Sequence, residues 1–271
     1  MKLRRISSTA NDTVKDAARL SRKRNRYESR LFLADGEDLL DAALARGVMP
    51  RQVFELEGNE EPLAGAGRTG GAEVFVCSAE VMAKLSQLGS GSKLISVFEM
   101  PQPEFGAQAG EIMVAAAGRP LLYLAGVGDP GNVGTLIRSS SALGAAAVAL
   151  GPDTADPYSQ KSLRATMGAI FQIPVFNGVE PDELADWAGA AGVELVCADP
   201  RAGQAVWKAP LERAFVLVLG SEREGIPAKL LRAATVRVRI PQERETESMN
   251  VAMAGTAILF EAMRQRSPGR Q

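Results

Sequence analysis

From Leu121 to the C-terminus the chain keeps one rhythm, a short apolar run followed by a turn and a helix-spaced segment. Strand-like runs occupy 121–125, 145–150, 173–176, 193–198, 215–219 and 236–240, and helical patterns occupy 132–143, 159–167, 182–191, 228–233 and 249–263. Strands that are apolar along their length have no face to offer to water, and strands separated by helices pair in parallel. The pattern therefore predicts an α/β fold in which helices cover both faces of a parallel sheet. The last helix is apolar on nearly every side (Val251, Ala252, Met253, Ala257, Ile258, Leu259, Phe260), so it is expected to bury more than one surface.

The first hundred residues read as a smaller α/β unit. A helix is predicted over 13–26, a strand over 31–34, a helix over 36–45, strands over 53–56 and 74–77, and a further helix opening with Ser78 as its N-cap. Residues 58–71 read as a surface loop. The segment 100–118 contains Pro101, Pro103 and three glycines, which marks a boundary. The expected division is residues 1–100, a linker at 101–118, and a second domain at 119–271.

Net charge is −1 over 271 residues, but its distribution is uneven. Residues 1–30 hold ten Lys or Arg against Asp12, Asp16 and Glu28, a balance of +7 that leaves −8 for the remainder. Arg22, Lys23, Arg24 and Arg26 form its densest part, and such asymmetry suits either a polyanion partner or a solvated helix face. Histidine is absent, which removes the usual general base and the commonest metal ligand. Two cysteines, Cys77 and Cys197, cannot build a zinc site and read as buried thiols. No metal is expected. No apolar run approaches the ~20 residues that span a bilayer, and the cytoplasm is the default compartment.

Three polar stretches follow predicted strands. In the first, Gly126, Gly128 and Gly131 match G-x-G-x-x-G literally, but Pro130 interrupts the spacing and no acidic residue directly follows the next strand. The alternative is that Asn132 caps a helix from which Arg138 projects as a phosphate or charge-stabilising group. The second stretch, Gly220 to Pro227, follows an all-apolar strand and carries Glu222, the candidate functional acid. The third brings Ser248 and Asn250 to the start of the final helix.

Together these stretches resemble the SpoU (TrmH) family of AdoMet-dependent RNA 2'-O-ribose methyltransferases, of the SPOUT class. The resemblance rests on DPGNVGTLIRSSSALG (129–144), LGSEREGIP (219–227) and IPQERETESMNVAMA (240–254), with KSLRATMGAIFQIPV (161–175) between them. ISSTANDTVK and FLADGEDLLDAAL are similar to the L30e-like substrate-binding domain of rRNA-directed members. The resemblance implies a C-terminal parallel-sheet SPOUT domain with a trefoil knot, preceded by a small L30e-like α/β domain. It implies AdoMet as methyl donor, bound around Leu219, Gly220, Ile240 and Met249, and no metal. It further implies a catalytic set of Asn132, Arg138, Glu222, Ser248 and Asn250, with Arg138 serving the other protomer of a homodimer. Met249 stands where the family commonly has Leu, a change that conserves volume. Arginine is a poor base, so Arg138 is expected to hold phosphate and stabilise developing negative charge. The expected substrate is a ribose 2'-OH in 23S rRNA; a tRNA target, or an inactive RNA-binding relative, are the alternatives.

Overall fold

The computed structural model describes residues 4–59, 69, 71–86, 91–243 and 249–267. Most of the expected 58–71 loop lies outside the described residues. The chain forms two compact units, Met1–Pro101 with Asp156–Phe171, and Gln102–Ala155 with Gln172–Gln271.

The first unit runs β1 (Arg4–Ile6), α1 (Asp12–Arg19), α2 (Lys23–Ser29), β2 (Leu31–Asp35), α3 (Glu37–Leu44), β3 (Gln52–Leu56), β4 (Glu73–Cys77), α4 (Ala79–Leu85) and β5 (Leu94–Glu99). The strands pair in the order β1-β4-β3-β5-β2, parallel across the first three and antiparallel across the last three. Phe54 and Phe75 stack at 5.2 Å between ring centres, in a core with Val14 and Ala17 of α1 and Val81, Met82 and Leu85 of α4. At α4, Ser78 holds the N-cap position without capping; its hydroxyl donates to the Ser7 carbonyl instead.

The single helix expected over 13–26 is broken in two. Asn25 Nδ2 donates to the Arg19 carbonyl at 2.8 Å, and Arg26 Nη1 donates to the carbonyls of Leu20 and Ser21 at 2.7 and 2.9 Å. Side chains of α2 thus reach back to carbonyls at and just beyond the C-terminal end of α1, where the helical ladder runs out.

The second unit opens with α5 (Ala107–Ala115), inside the stretch expected as a linker, and its Ala109 and Met113 enter the core. Then come β6 (Leu121–Ala125), α6 (Pro130–Ala142) and β7 (Ala147–Leu150). The chain next gives Asp156–Phe171, with α7 (Gln160–Thr166), to the first unit. There Tyr158 lies 5.0 Å from the Phe32 ring, and Phe171 lies 5.1 Å from Phe98. The second unit resumes with β8 (Val175–Asn177), α8 (Pro181–Ala191), β9 (Glu194–Ala198), β10 (Gln204–Ala205), β11 (Phe215–Gly220), α9 (Ala228–Ala233), β12 (Val236–Arg239) and α10 (Val251–Arg266). β8 starts two residues later than expected, beyond Pro174, which has no N–H to give a ladder.

All seven strands of this sheet are parallel, in the order β10-β12-β9-β11-β6-β7-β8. Tyr123 is fully buried in it and donates to the Val179 carbonyl at 2.9 Å. A side chain at Gly151 would run into the Tyr123 hydroxyl, so only glycine fits beside that ring. Cys77 and Cys197 are buried, and burial pushes their thiols up to about 11 and about 12. Both are poor nucleophiles in consequence.

Candidate functional site

β11 and β6 are neighbours in the sheet, and their register sets Gly220 opposite Ala125. The loops that leave these strands therefore emerge side by side at the carboxyl edge, where open α/β sheets bind ligands. Gly220 ends β11 with no room for a Cβ, because the backbone of Gly225 and Ile226 folds back against it. That return is a closed turn. Gly225 N donates to the Ser221 carbonyl at 3.0 Å and Glu224 N to Ser221 Oγ at 3.0 Å, with Gly225 at φ 71°. Glu222 stands exposed on this turn.

On the β6 side, α6 is capped by Asp129, whose Oδ1 accepts from Asn132 N at 2.9 Å, and Pro130 occupies the first helical position. The expected cap was Asn132, three residues on. With Asp129 in that role, the Asn132 side chain is released: Nδ2 donates to Glu222 Oε1 at 2.9 Å and Oδ1 accepts from Asn250 Nδ2 at 3.1 Å. Asn250 is the N-cap of α10, its Oδ1 accepting from the backbone of Ala252 and Met253. One amide side chain thus joins the three stretches that the sequence singled out.

α10 comes close enough for this because Gly255 has no side chain. A Cβ there would lie 2.5 Å from both Leu136 Cδ2 of α6 and Leu219 Cδ1 of β11. Thr256 Oγ1 continues the contact, 2.8 Å from Ser139 Oγ.

Ser248 lies outside the described residues. Arg138 is exposed, unpaired among the described residues, and six positions beyond Asn132 on α6. At about 100° per residue it lies about 120° round the helix from Asn132, away from the amide cluster.

Two clefts share the wall formed by Ser221 to Ile226. The smaller, about 320 Å³, is lined by Leu219, Gly220 and Met249 together with Val251 and the loop that follows β9. Three of the four expected cofactor residues meet here; Ile240, which follows β12, is not in its lining. The larger, about 1090 Å³, is bounded by Gly126, Asp129, Asp153 and Pro181. Sequence reading missed Asp199 and Arg201 in the smaller cleft's wall.

In the first unit, Arg22, Lys23 and Arg24 are exposed, with Arg24 bonded to Glu28 at 2.6 Å. Arg26 does not belong with them. It is 4% exposed and paired through Nε (3.0 Å) and Nη2 with Asp156, so it holds structure and is removed from any phosphate-contacting surface. Asp156 also accepts from Tyr158 N at 2.9 Å and from the Tyr27 hydroxyl, whose ionisation is driven well above the usual phenol range by burial and then by the Asp156 charge. Among the described residues there is no cluster of three or more metal-ligating side chains, and no helix is long and apolar enough to cross a membrane.

Residues 119–260 match the SpoU rRNA Methylase family, and residues 11–95 match the MRM3-like substrate binding domain. The chain is 30% identical to the 23S rRNA (guanosine(2553)-2'-O)-methyltransferase RlmP of Bacillus subtilis, over 95% of this chain and 98% of that protein. An AdoMet-bound rRNA methyltransferase from Sinorhizobium meliloti superposes with a TM-score of 0.86 at 30% identity, covering 97% of this chain and 98% of its own. The SpoU methyltransferase AviRb from Streptomyces viridochromogenes, solved with AdoMet, gives a TM-score of 0.86 at 26% identity over 96% of this chain and 100% of its own.

Proposed function

This chain belongs to the SpoU rRNA methylase family, and on that footing we propose that it transfers the methyl group of AdoMet to a ribose 2'-hydroxyl of 23S rRNA. The observation that carries the reading is the hydrogen-bonded path Asn250 to Asn132 to Glu222, which gathers three distant stretches at the carboxyl edge of a parallel sheet.

The smaller cleft suits AdoMet. Its volume falls within the range of small-molecule sites, about 300–1,000 Å³. Leu219, Ile226, Leu231 and Val251 give an apolar lining for the adenosyl group, and charged side chains stand at its wall for the amino-acid tail. AdoMet bound there supplies an activated methyl on a sulfonium, so the protein's part is alignment and charge stabilisation.

The Asn132 amide is held from both sides, which orients it without the aid of substrate. The second oxygen of Glu222 makes no hydrogen bond among the described residues, and its proposed part is to accept one from the ribose hydroxyl. Arg138 faces away from its own cluster, and the reading assigns it to the site of a second copy, where it holds phosphate and stabilises the developing oxyanion. Met253 (68% exposed), Ala257 and Phe260 (54% exposed) form an apolar stripe on α10, the surface a homodimer would cover. A trefoil knot at the C-terminal end, a role for Ser248 beside Asn250, a cofactor contact at Ile240 and a cytoplasmic place of action complete the proposal. Arg22, Lys23 and Arg24 are assigned to RNA phosphates.

Incubation with methyl-labelled AdoMet and 23S rRNA, followed by mapping of the label, tests the reaction. Label in a ribose 2'-O-methyl group is the expected outcome; label in a base, or none, overturns it.

A further inference from the structure

Beyond the residues assigned so far, the smaller cleft has a polar wall on the side of β9. The strand ends at Ala198, and the chain turns through Asp199, Pro200 and Arg201, all three of which line the cleft. The turn is held by hydrogen bonds within itself and to β12. Asp199 N donates to the Val238 carbonyl at 2.9 Å, Ala202 N donates to the Asp199 carbonyl at 2.9 Å, and Asp199 Oδ1 accepts from Arg201 N at 2.9 Å. A backbone fixed in this way fixes the point from which the Arg201 side chain leaves. Arg201 is exposed and makes no ion pair among the described residues.

Charge narrows what this arginine can serve. The cleft's wall carries three carboxylates, Asp199, Glu222 and Glu224, and two guanidiniums, Arg201 and Arg223. Arg223 lines both clefts and so stands on the dividing turn, whereas Arg201 lines the smaller one alone. The adenosyl group of AdoMet is uncharged, its sulfonium and α-ammonium are cationic, and its α-carboxylate is its one anionic group. A planar guanidinium is the natural partner of a carboxylate, through paired N–H donors.

We infer that Arg201 binds the α-carboxylate of AdoMet, with Asp199 acting as a positioning residue that holds the turn. The inference rests on the cofactor reading above and deepens it. The cleft is thereby divided by chemistry: the apolar lining takes the adenosyl group and the β9 turn takes the amino-acid tail.

Calorimetric titration of the full chain with two probes tests this. S-adenosylhomocysteine carries the amino-acid tail, and 5'-methylthioadenosine keeps the adenosyl thioether without it. Arg201→Ala is expected to weaken S-adenosylhomocysteine about tenfold or more, the effect of losing a charge-assisted hydrogen bond, and to leave 5'-methylthioadenosine within about twofold of wild type. Arg201→Lys keeps the charge without the fork and should recover part of the loss. Equal weakening of both probes, or of neither, overturns the assignment while leaving the cofactor reading intact. Failure of the unmodified protein to bind S-adenosylhomocysteine overturns both. Arg201 is exposed, so its variants are expected to melt with the wild type, which separates a lost contact from a lost fold.

Discussion

Asn132 and Asn250 are separated by 118 positions in sequence and joined by a 3.1 Å hydrogen bond. The bond has unequal ends. Asn250 also caps α10 through two backbone amides, whereas Asn132 leaves its own helix to Asp129 and spends its side chain on Asn250 and Glu222.

That asymmetry separates two substitutions. Asn132→Ala should leave thermal stability close to wild type and lower kcat by about 10²- to 10³-fold, the scale of losing one preorganised polar group at a reacting centre. Asn250→Ala should lose comparable activity and also about 1 kcal/mol of stability with the cap, read as a fall in Tm. An Asn132→Ala protein with full turnover would remove the amide path from the mechanism.

Arg138 provides a test of shared sites. Arg138→Ala and Asn132→Ala chains, each inactive alone, should regain activity when mixed and allowed to exchange subunits. One of the two sites in a heterodimer then combines an intact Asn132 with the partner's intact Arg138. Continued inactivity after heterodimers are shown to form would place Arg138 in its own chain's site.

The two parts of the basic segment should respond differently to mutation. Arg22→Glu with Lys23→Glu is expected to weaken RNA binding and flatten its dependence on salt, because fewer counterions are released, with little change in unfolding midpoint. Arg26→Met leaves Asp156 buried without its partner, at a cost of about 3–5 kcal/mol, and chemical denaturation should show it. A stable Arg26→Met protein would contradict the buried pairing.

Gly255→Ala places a methyl against Leu136 and Leu219. Overpacking of this kind costs about 1–3 kcal/mol, and displacement of α10 should stretch the Asn250 to Asn132 bond and lower kcat as well. Loss of stability with unchanged kcat would mean that the helix absorbs the methyl without moving its N-terminus.

The two thiols bear on alkaline stability. Both stay protonated in the folded protein up to about 11 and about 12, against an ordinary value of 9.0. Between pH 9 and those values the unfolded chain releases protons that the folded one keeps, so stability falls as pH rises, by at most about 1.4 kcal/mol per pH unit for each thiol. Below pH 9 the two cysteines contribute no pH dependence. A thiol-specific colorimetric reagent at pH 8 should label neither in the native protein and both in denaturant.

Much of this arrangement was legible in the residues. The unbroken apolar run Phe215 to Leu219 announced a strand buried on both faces, and the three polar stretches marked the ends of elements that meet at the site. What stayed hidden were relations between distant positions. Strand spacing does not reveal that β11 lies beside β6, which is what brings the turn bearing Glu222 to Asn132. Asp129 and Asn132 are both good capping residues, and Pro130 at the first helical position was the local signal that decided between them. Arg26 looked like its neighbours because its partner comes 130 residues later. The helix break before Lys23 is likewise fixed by side chains reaching back to carbonyls, an effect that apolar periodicity does not register.

The loan of Asp156–Phe171 to the first unit bears on synthesis at the ribosome. Phe32 and Phe98 wait for Tyr158 and Phe171, so the amino-terminal unit cannot close its aromatic layer when Pro101 leaves the exit tunnel. Some seventy further residues must follow, roughly 4–14 s at ordinary elongation rates of about 5–20 residues per second. For most of that interval α2 carries Arg26 without its carboxylate partner, and β6, α6 and β7 are made before the earlier unit is finished. The first unit is therefore completed only after residues 102–155 have been made, and a fragment cut at residue 101 would be an unfinished fold.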